Sequence, residues 1–145
     1  MRCAFADLDV VAVSDVIEPR MDQALELLGQ SIYPQKPTRT LEYERILDRK
    51  DVDAVVIATT QHWHGRPHIQ ACQAGKHIFV EKPLSHTVVE GRQMVMAARK
   101  HRVVAMMGTQ QRAGPHYQKA VELSRTGRLG KVALVECWNS HNTGN

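Results

Sequence analysis

Short apolar runs alternate with helical patterns along the whole chain. Four runs rich in β-branched residues, at residues 10–13, 53–59, 77–80 and 103–107, are typical of strands buried in a parallel sheet. Residues 131–138 alternate between apolar and polar side chains, which predicts a strand with one wetter face in a different sheet. Residues 31–40 hold two prolines and fit a short strand or an irregular loop equally well.

Apolar residues at helical spacing fill the intervals between these runs. The pattern predicts helices over residues 19–29, 41–49, 67–75, 87–101 and 116–125. Thr87 and Glu90 stand at the spacing of a capping box that opens the fourth of these helices. Strands that alternate with helices in this way indicate an α/β protein with a doubly wound parallel sheet.

Polar residues follow each of the apolar runs directly. Doubly wound sheets bind their ligands outside the carboxyl ends of the strands, where such residues lie. The candidates for a functional site are therefore Asp15 and residues 59–64, 81–83 and 108–112.

The composition is that of an ordinary soluble globular domain, with 43% hydrophobic and 23% charged residues in a chain of 145. No apolar run approaches the roughly 20 residues needed to cross a membrane, and the start lacks the apolar core of a secretory signal. The net charge of +4 is dispersed, which gives nucleic-acid binding little support. Three widely spaced cysteines form no C-x-x-C motif, so we expect reduced thiols in a cytosolic protein.

Asp15 ends the first apolar run, where a dinucleotide-binding fold places the acid that binds the adenosine ribose hydroxyls. Its charge would repel a 2′-phosphate at ~4 Å by about 1–4 kcal/mol, which favours NAD over NADP. The alternative is an aspartate in the turn before the helix. The glycine fingerprint expected about 20 residues upstream is missing, since the first glycine is Gly29 and no G-x-G occurs. Either the chain is not a nucleotide binder, or it lacks the first strand and the glycine loop.

Lys82 follows the third run between Glu81 and Pro83, so its ammonium would point into the predicted crevice. There it could hydrogen-bond a nicotinamide ribose or a substrate hydroxyl and stabilise an alkoxide as hydride leaves. The alternative is an exposed lysine in a polar turn. Glu81 either orients Lys82 or is simply solvated.

His62, His64 and His68 cluster in the sequence and raise the hypothesis of a zinc site. No further ligand follows at metal-site spacing, so we predict no metal. The histidines could instead cap the helix that begins near residue 67, or Trp63 between them could pack beside a cofactor. Residues 108–112 add amide and guanidinium donors suited to a polyhydroxylated or carboxylated ligand, with Arg112 a weak candidate for substrate binding.

Taken in order, these segments resemble the Gfo/Idh/MocA oxidoreductases, the family of glucose–fructose oxidoreductase and inositol dehydrogenase. The resemblance runs from about residue 5 to residue 138. It rests on V-A-V-S-D at 11–15, D-V-D-A-V-V-I-A-T at 51–59, A-G-K-H at 74–77, E-K-P-L at 81–84 and G-T-Q-Q-R at 108–112.

The resemblance implies roles for individual residues. Lys82 would assist catalysis beside the nicotinamide, and the bond before Pro83 would be cis. The family's T-P-N-x-x-H falls on residues 59–64, where Thr60 and Gln61 replace the usual Pro and Asn. The cofactor-binding residues that the resemblance implies are Asp15, Thr59, Gln61, His64, Glu81, Lys82 and Gln110.

Two parts of the family pattern have no counterpart here. They are the first strand with its glycine loop, and most of the second domain with its Asp-x-x-x-His proton-transfer pair. We therefore expect residues 1–130 to form a doubly wound, Rossmann-type NAD(P)-binding domain that lacks its first strand and glycine-rich loop. Residues 131–145 would be the first strand of a truncated α/β substrate domain.

The missing strand should matter for stability. In the strand order 3-2-1-4-5-6 it is central, and its four or so buried side chains at about 1.5–3 kcal/mol each would contribute roughly 10 kcal/mol. Whole domains are commonly stable by about 5–15 kcal/mol. We expect the chain alone to be unstable or partly folded, to bind NAD poorly and to be inactive.

The function implied by the resemblance is hydride transfer between nicotinamide and a sugar, polyol or related alcohol, by an NAD(P)-dependent parent enzyme of which this chain is a fragment. The alternative within the family is a glycosidase that uses bound NAD. The alternative of another class is a non-catalytic remnant of the nucleotide fold. We expect a small-molecule substrate, no nucleic-acid or membrane partner and a homo-oligomeric intact protein. The cytoplasm is the default location, with an upstream export signal left open.

Overall fold

The chain divides into two units, Met1–Gly108 and Thr109–Asn145. Two parallel sheets form the framework of the first unit. The computed structural model describes residues 8–29 and 37–138. β1 (Ala12–Ser14) pairs with β2 (Thr38–Thr40), and β3 (Ala54–Ile57), β4 (His77–Val80) and β5 (Ala105–Met107) form the second sheet in that order. Every strand pair in the described ranges is parallel. The predicted α/β class is confirmed, and residues 31–40 contain a strand, although residues 31–36 lie outside the described part.

Helices lie in the five intervals where the apolar spacing predicts them, although the helix predicted over residues 41–49 is only four residues long. They are α1 (Glu18–Gly29), α2 (Glu44–Leu47), α3 (Gly65–Gln73), α4 (Val88–His101) and α5 (Pro115–Arg125), with 3-10 turns at Gln61–Trp63 and Gln110–Ala113. Thr87 caps α4 through its Oγ1, which accepts a hydrogen bond from the Glu90 amide at 3.2 Å. The Glu90 carboxylate in turn accepts from the His86 amide at 2.7 Å, which completes the predicted box one residue earlier than the usual pattern. None of the described helices combines the length and the apolar character needed to cross a bilayer.

The sheet is divided at one position. In the doubly wound strand order 3-2-1-4-5-6, β2 and β1 correspond to strands 3 and 2 of the fold. β3, β4 and β5 correspond to strands 4, 5 and 6. None of the described residues forms strand 1, which would lie between strands 2 and 4. This is the strand that the sequence predicts to be missing. β1 and β3 are therefore each paired along one edge only in the described structure.

Arg49 ties the amino-terminal ends of the two sheets together. Its guanidinium donates to the Val11 carbonyl just before β1 at 3.3 Å, and to both carboxylate oxygens of Asp51 just before β3 at 2.9 and 2.6 Å. This contact holds the pKa of the Asp51 carboxyl below its ordinary value. The Arg49 carbonyl also accepts from Lys76 Nζ at 2.6 Å, immediately before β4. This network lies at the amino-terminal ends of the strands and does not involve their carboxyl-terminal ends.

The core lies on one face of the three-stranded sheet. Ile57, Ile78 and Val80 are buried there against Ala71 and Cys72 of α3. On the opposite face Val56, Phe79 and Met106 lie side by side in register across the three strands.

That opposite face corrects one expectation. Val56 and Met106 are each 59% exposed, so the strand predicted at 53–59 is not buried on both sides. The apolar run predicts the strand correctly, but burial depends on the element that covers the face.

The second unit contains α5, which begins at Pro115 after a turn at Gly114. Residues 131–138 are exposed and form no strand. The strand predicted there therefore has no counterpart in the structure, because alternation alone does not form a strand without a partner to pair with. The domain boundary after residue 130 stays a prediction.

Candidate functional site

The carboxyl ends of β3, β4 and β5 lie next to one another. The Glu81 amide donates to the Ile57 carbonyl at 2.9 Å, and the Gly108 amide donates to the Val80 carbonyl at 2.8 Å. These bonds extend the ladders past the last strand residues. The loop at residues 59–64 and the turn at residues 81–83 therefore start from neighbouring strand ends, as the parallel order predicts.

His64 joins this loop to this turn. Its ring Nδ1 is 2.7 Å from the Pro83 carbonyl oxygen and its Nε2 is 3.0 Å from the Thr59 carbonyl oxygen. The side chain is 1% exposed and forms no side-chain cap on α3, although it stands at the N-cap position. The imidazole is thus engaged by backbone on both sides, so any effect of His64 on a cofactor is exerted through the loops it holds.

Lys82 stands on the turn that His64 holds. The bond between Lys82 and Pro83 is cis, as the resemblance implies. The Glu81 carboxylate accepts a hydrogen bond from the Lys82 amide at 3.1 Å, which fixes the turn beside the lysine. The Lys82 side chain is exposed, and among the described residues its ammonium has no hydrogen-bond or ion-pair partner. The ammonium is therefore accessible to a ligand.

Asp15 follows β1 and is half-buried. Its Oδ1 accepts a hydrogen bond from the Ile17 amide at 2.8 Å, which is the turn role considered as the alternative in the sequence. A carboxylate offers about four lone-pair sites, so this bond leaves acceptor capacity on both oxygens. The two roles of Asp15 are compatible.

The three clustered histidines have three separate environments. His62 is exposed, with Nε2 3.4 Å from the Thr60 hydroxyl, and His68 is buried with neither ring nitrogen hydrogen-bonded to a described residue. Burial lowers the pKa of His68. No group of three or more His, Cys, Asp or Glu side chains in the described ranges is arranged to hold a metal ion.

The contacts of His64 are not predicted by the sequence. A signal for its burial exists, because His64, His68, Ala71 and Cys72 follow helical spacing and are all buried on one side of α3. The identity of its partners has no such signal, since the Thr59 and Pro83 carbonyls lie 5 and 19 residues away in sequence.

The remaining predicted residues are more exposed. The Thr59 hydroxyl donates to the Trp63 carbonyl at 3.2 Å, and Gln61 begins the exposed 3-10 turn between them. Gln110 and Arg112 are exposed on the 3-10 turn of the second unit. Their roles beside the cofactor and the substrate stay predictions.

The chain is similar to known families and known proteins. Residues 1–109 match the model of a family described as an oxidoreductase family with an NAD-binding Rossmann fold. Glycosyl hydrolase family 109 protein 1 of Shewanella sp. (strain ANA-3) is 30% identical over 142 residues, which cover 96% of this chain and 31% of that protein. The uncharacterized oxidoreductase YrbE of Bacillus subtilis (strain 168) is 33% identical over 129 residues, which cover 89% of this chain and 36% of that protein.

Solved structures show the same likeness. Myo-inositol 2-dehydrogenase from Lactobacillus plantarum superposes with a TM-score of 0.76 at 25% identity, covering 86% of this chain and 35% of that one. Levoglucosan dehydrogenase, in a complex with NADH and levoglucosan, superposes with a TM-score of 0.75 at 28% identity, covering 85% of this chain and 32% of that one. The chain spans about a third of the length of these relatives.

Proposed function

The chain belongs to the Gfo/Idh/MocA oxidoreductase family, and on that premise we propose that it forms most of the cofactor domain of an NAD-dependent enzyme acting on a sugar, polyol or related alcohol. The observation that carries the proposal is the Glu81-Lys82-Pro83 turn. It presents an accessible ammonium at the carboxyl end of a parallel sheet, next to the loop that follows β3.

The chemistry of the described residues fits the two ends of NAD. Asp15 retains acceptor capacity at the carboxyl end of β1, which suits the ribose hydroxyls of the adenosine half. The Glu81-Lys82 turn and the Thr59 loop would hold the nicotinamide half. The described residues include no glycine-rich turn for the pyrophosphate.

Asp15 would also select the cofactor. A fixed carboxylate near the adenosine ribose repels a 2′-phosphate, so NAD is favoured over NADP. Replacing Asp15 with Asn keeps a hydrogen-bond acceptor and removes the charge, so that variant should lose discrimination against NADP while retaining NAD.

When bound, nicotinamide supplies a hydride acceptor or donor at its C4. Lys82 would then donate a hydrogen bond to the substrate hydroxyl oxygen and stabilise the negative charge that develops there. Glu81 would keep the turn in place through its bond from the Lys82 amide. His64 is buried and contacts the turn at the Pro83 carbonyl, so it would act on the position of the turn without touching the substrate.

A second function is favoured by one comparison. Glycosyl hydrolase family 109 proteins match 96% of the chain, and the alpha-N-acetylgalactosaminidase of Shewanella oneidensis is 29% identical to it over 142 residues. A glycosidase that uses NAD transiently would need the same cofactor domain. The two functions differ in their net products, because the dehydrogenase accumulates NADH and the glycosidase releases a sugar while its NAD is regenerated.

The test is turnover by the protein in the form in which the organism produces it. Lys82→Ala should lower kcat by about a hundredfold to a thousandfold, the usual loss when one charge-stabilising donor is removed. Lys100→Ala is the matched control, because Lys100 is an exposed lysine of α4 and should be replaceable without loss. Unchanged turnover in Lys82→Ala would remove the catalytic assignment. Absence of any NAD-linked reaction would favour the non-catalytic remnant.

A further inference from the structure

The two halves of the proposed cofactor site lie on different sheets. Asp15, proposed for the adenosine half, follows β1 of the first sheet, and the Lys82 turn, proposed for the nicotinamide half, follows β4 of the second sheet. Among the described residues no strand lies between β1 and β3, so strand pairing does not fix the distance between the two sheets. Contacts outside the strand ladders must therefore set that distance.

The guanidinium of Arg49 makes such contacts with both sheets. Its Nη1 donates to the Val11 carbonyl at 3.3 Å and to the Thr38 hydroxyl at 2.6 Å, where β1 and β2 begin. Its Nε and Nη2 donate to the two carboxylate oxygens of Asp51, just before β3. The guanidinium is planar and presents its donors as a rigid fork, so these bonds hold the acceptors on its two sides at a fixed separation.

The backbone of Arg49 is anchored to the second sheet as well. Its carbonyl oxygen accepts a hydrogen bond from Lys76 Nζ at 2.6 Å, immediately before β4 begins. The side chain that reaches the first sheet therefore starts from a point that is fixed relative to β3 and β4.

We propose that Arg49 is a positioning residue that sets the distance between the adenosine half and the nicotinamide half of the cofactor site. This role rests on the proposed function in one respect, namely the assignment of Asp15 and the Lys82 turn to the two halves of NAD. β1 is only three residues long, so at about 3.3 Å per residue no more than about 13 Å separates Val11 from Asp15. Movement of the amino-terminal end of β1 is therefore passed on to Asp15.

A ligand with two linked halves is sensitive to this distance, whereas each half alone is not. Linked groups that bind two sites together gain roughly 10²–10⁴ in affinity, and they lose this gain where the geometry prevents both from binding at once. Loss of the Arg49 bridge should therefore weaken the binding of NAD and leave the binding of AMP and of nicotinamide mononucleotide unchanged.

Arg49→Ala removes the bridge, and Arg45→Ala is its matched control. Arg45 lies four residues earlier on α2, where its side chain is 71% exposed and bonded to Glu42. Both variants lose one positive charge, so a general weakening of anion binding would appear in both. Arg49→Lys is a milder variant, because one ammonium can stay with Asp51 but cannot reproduce the fork that also reaches Val11.

Titration calorimetry with NAD, AMP and nicotinamide mononucleotide measures this difference on the protein in the form in which the organism produces it. Arg49→Ala should lower the affinity for NAD by roughly tenfold to a hundredfold and change the other two affinities by less than about twofold. Arg49→Lys should show the same difference at smaller size, and Arg45→Ala should leave all three affinities unchanged. An equal loss for AMP and NAD, or no loss for NAD, would overturn the proposal.

Steady-state kinetics give a second readout. A residue that only positions the two halves of the site should act on cofactor binding and not on the chemical step. Arg49→Ala should therefore raise KM for NAD and leave kcat at saturating NAD within about threefold. A fall in kcat with unchanged KM would contradict a role in cofactor positioning.

The distance between the sheets can also be measured without any ligand. Spin labels at Val16→Cys, beside Asp15, and at Val88→Cys, at the start of α4, occupy positions that are 85% and 90% exposed. Exposed native cysteines such as Cys137 are replaced by serine in all of these proteins. The distance distribution should be narrow with Arg49 present and in Arg45→Ala, and should broaden or shift in Arg49→Ala. An unchanged distribution in Arg49→Ala would refute the bridge.

These measurements separate the bridge from the proposed function. If the label distances change in Arg49→Ala but Asp15→Ala leaves the affinity for AMP unchanged, the bridge is correct and the assignment of the adenosine half fails. If Asp15→Ala weakens AMP while Arg49→Ala changes neither the label distances nor the affinity for NAD, the cofactor assignment stands and the bridge fails.

Discussion

Met94 and Met96 offer a sharp test of which face of α4 packs in the core. Both methionines lie on the same helix, two residues apart, but Met94 is fully buried and Met96 is 58% exposed. Alanine and methionine have similar helix propensities, so replacing either one with alanine changes the helix backbone little. The difference between the two variants therefore isolates the packing of Met94 in the core.

The expected magnitude follows from burial. Methionine carries three more side-chain heavy atoms than alanine, and at about 0.8 kcal/mol for each buried group their transfer is worth about 2.4 kcal/mol. The cavity left between α4 and its neighbours raises the cost to about 4 kcal/mol, within the range seen for such core substitutions. Met96→Ala should change stability by no more than about 0.5 kcal/mol.

Native-state hydrogen exchange of β4 amides, measured on the protein in the form in which the organism produces it, is a suitable assay, because it reports the opening of the α3–α4–β4 region even where another part opens earlier. Met94→Ala should speed this exchange by roughly 50-fold to 700-fold, since each 1.4 kcal/mol is a factor of ten. Met96→Ala should match the unmodified chain within about threefold. Equal exchange in the two variants would refute the contribution of the buried Met94 side chain to the stability of this region.

Two further substitutions follow from the same helices. Thr87→Ala should destabilise the first turn of α4 by about 1 kcal/mol, because the Glu90 amide loses its acceptor. Thr87→Ser should keep that acceptor and the stability of the turn. Hydrogen exchange at the first α4 amides measures the stability of the turn in both variants, and an equal loss in the two would contradict the cap. His68 has a pKa below its ordinary value of about 6.5, so at lower pH the unfolded chain takes up a proton that the folded chain resists. The contribution of His68 to stability should therefore be fully present above about pH 6.5 and be lost as the pH drops below it. His68→Leu should flatten this part of the pH dependence in urea titrations at a series of pH values, and an unchanged slope would show that His68 is not responsible.

The sequence predicts the strand ends of the site well and the burial of the strands poorly. Residues 59–64 and 81–83 follow apolar runs, and parallel order is enough to place them side by side. The exposure of Val56 and Met106 depends on which helices cover that face, and that is a tertiary property with no local signal. Residues 131–138 show the same limit, because a strand pattern states a preference and pairing needs a partner.

His64 shows why the site itself is only partly predictable. Its place at the end of the T-x-x-x-x-H segment and its helical spacing to His68 are visible in the sequence. Its two acceptors are backbone carbonyls, which every residue possesses, so no residue type marks them. Only the fold brings Thr59 and Pro83 to opposite sides of one ring.

The divided sheet has a consequence for what can pair with β3. Natural proteins protect exposed sheet edges with charges, prolines or bulges, since an open edge is a template for pairing with another molecule. The strand Ala54–Ile57 carries none of these within its four residues, and Val56 adds an exposed apolar side chain to it. Among the residues that the structure describes, this edge of β3 therefore offers both unpaired backbone groups and an apolar side chain, which together suit a further apolar strand as its partner.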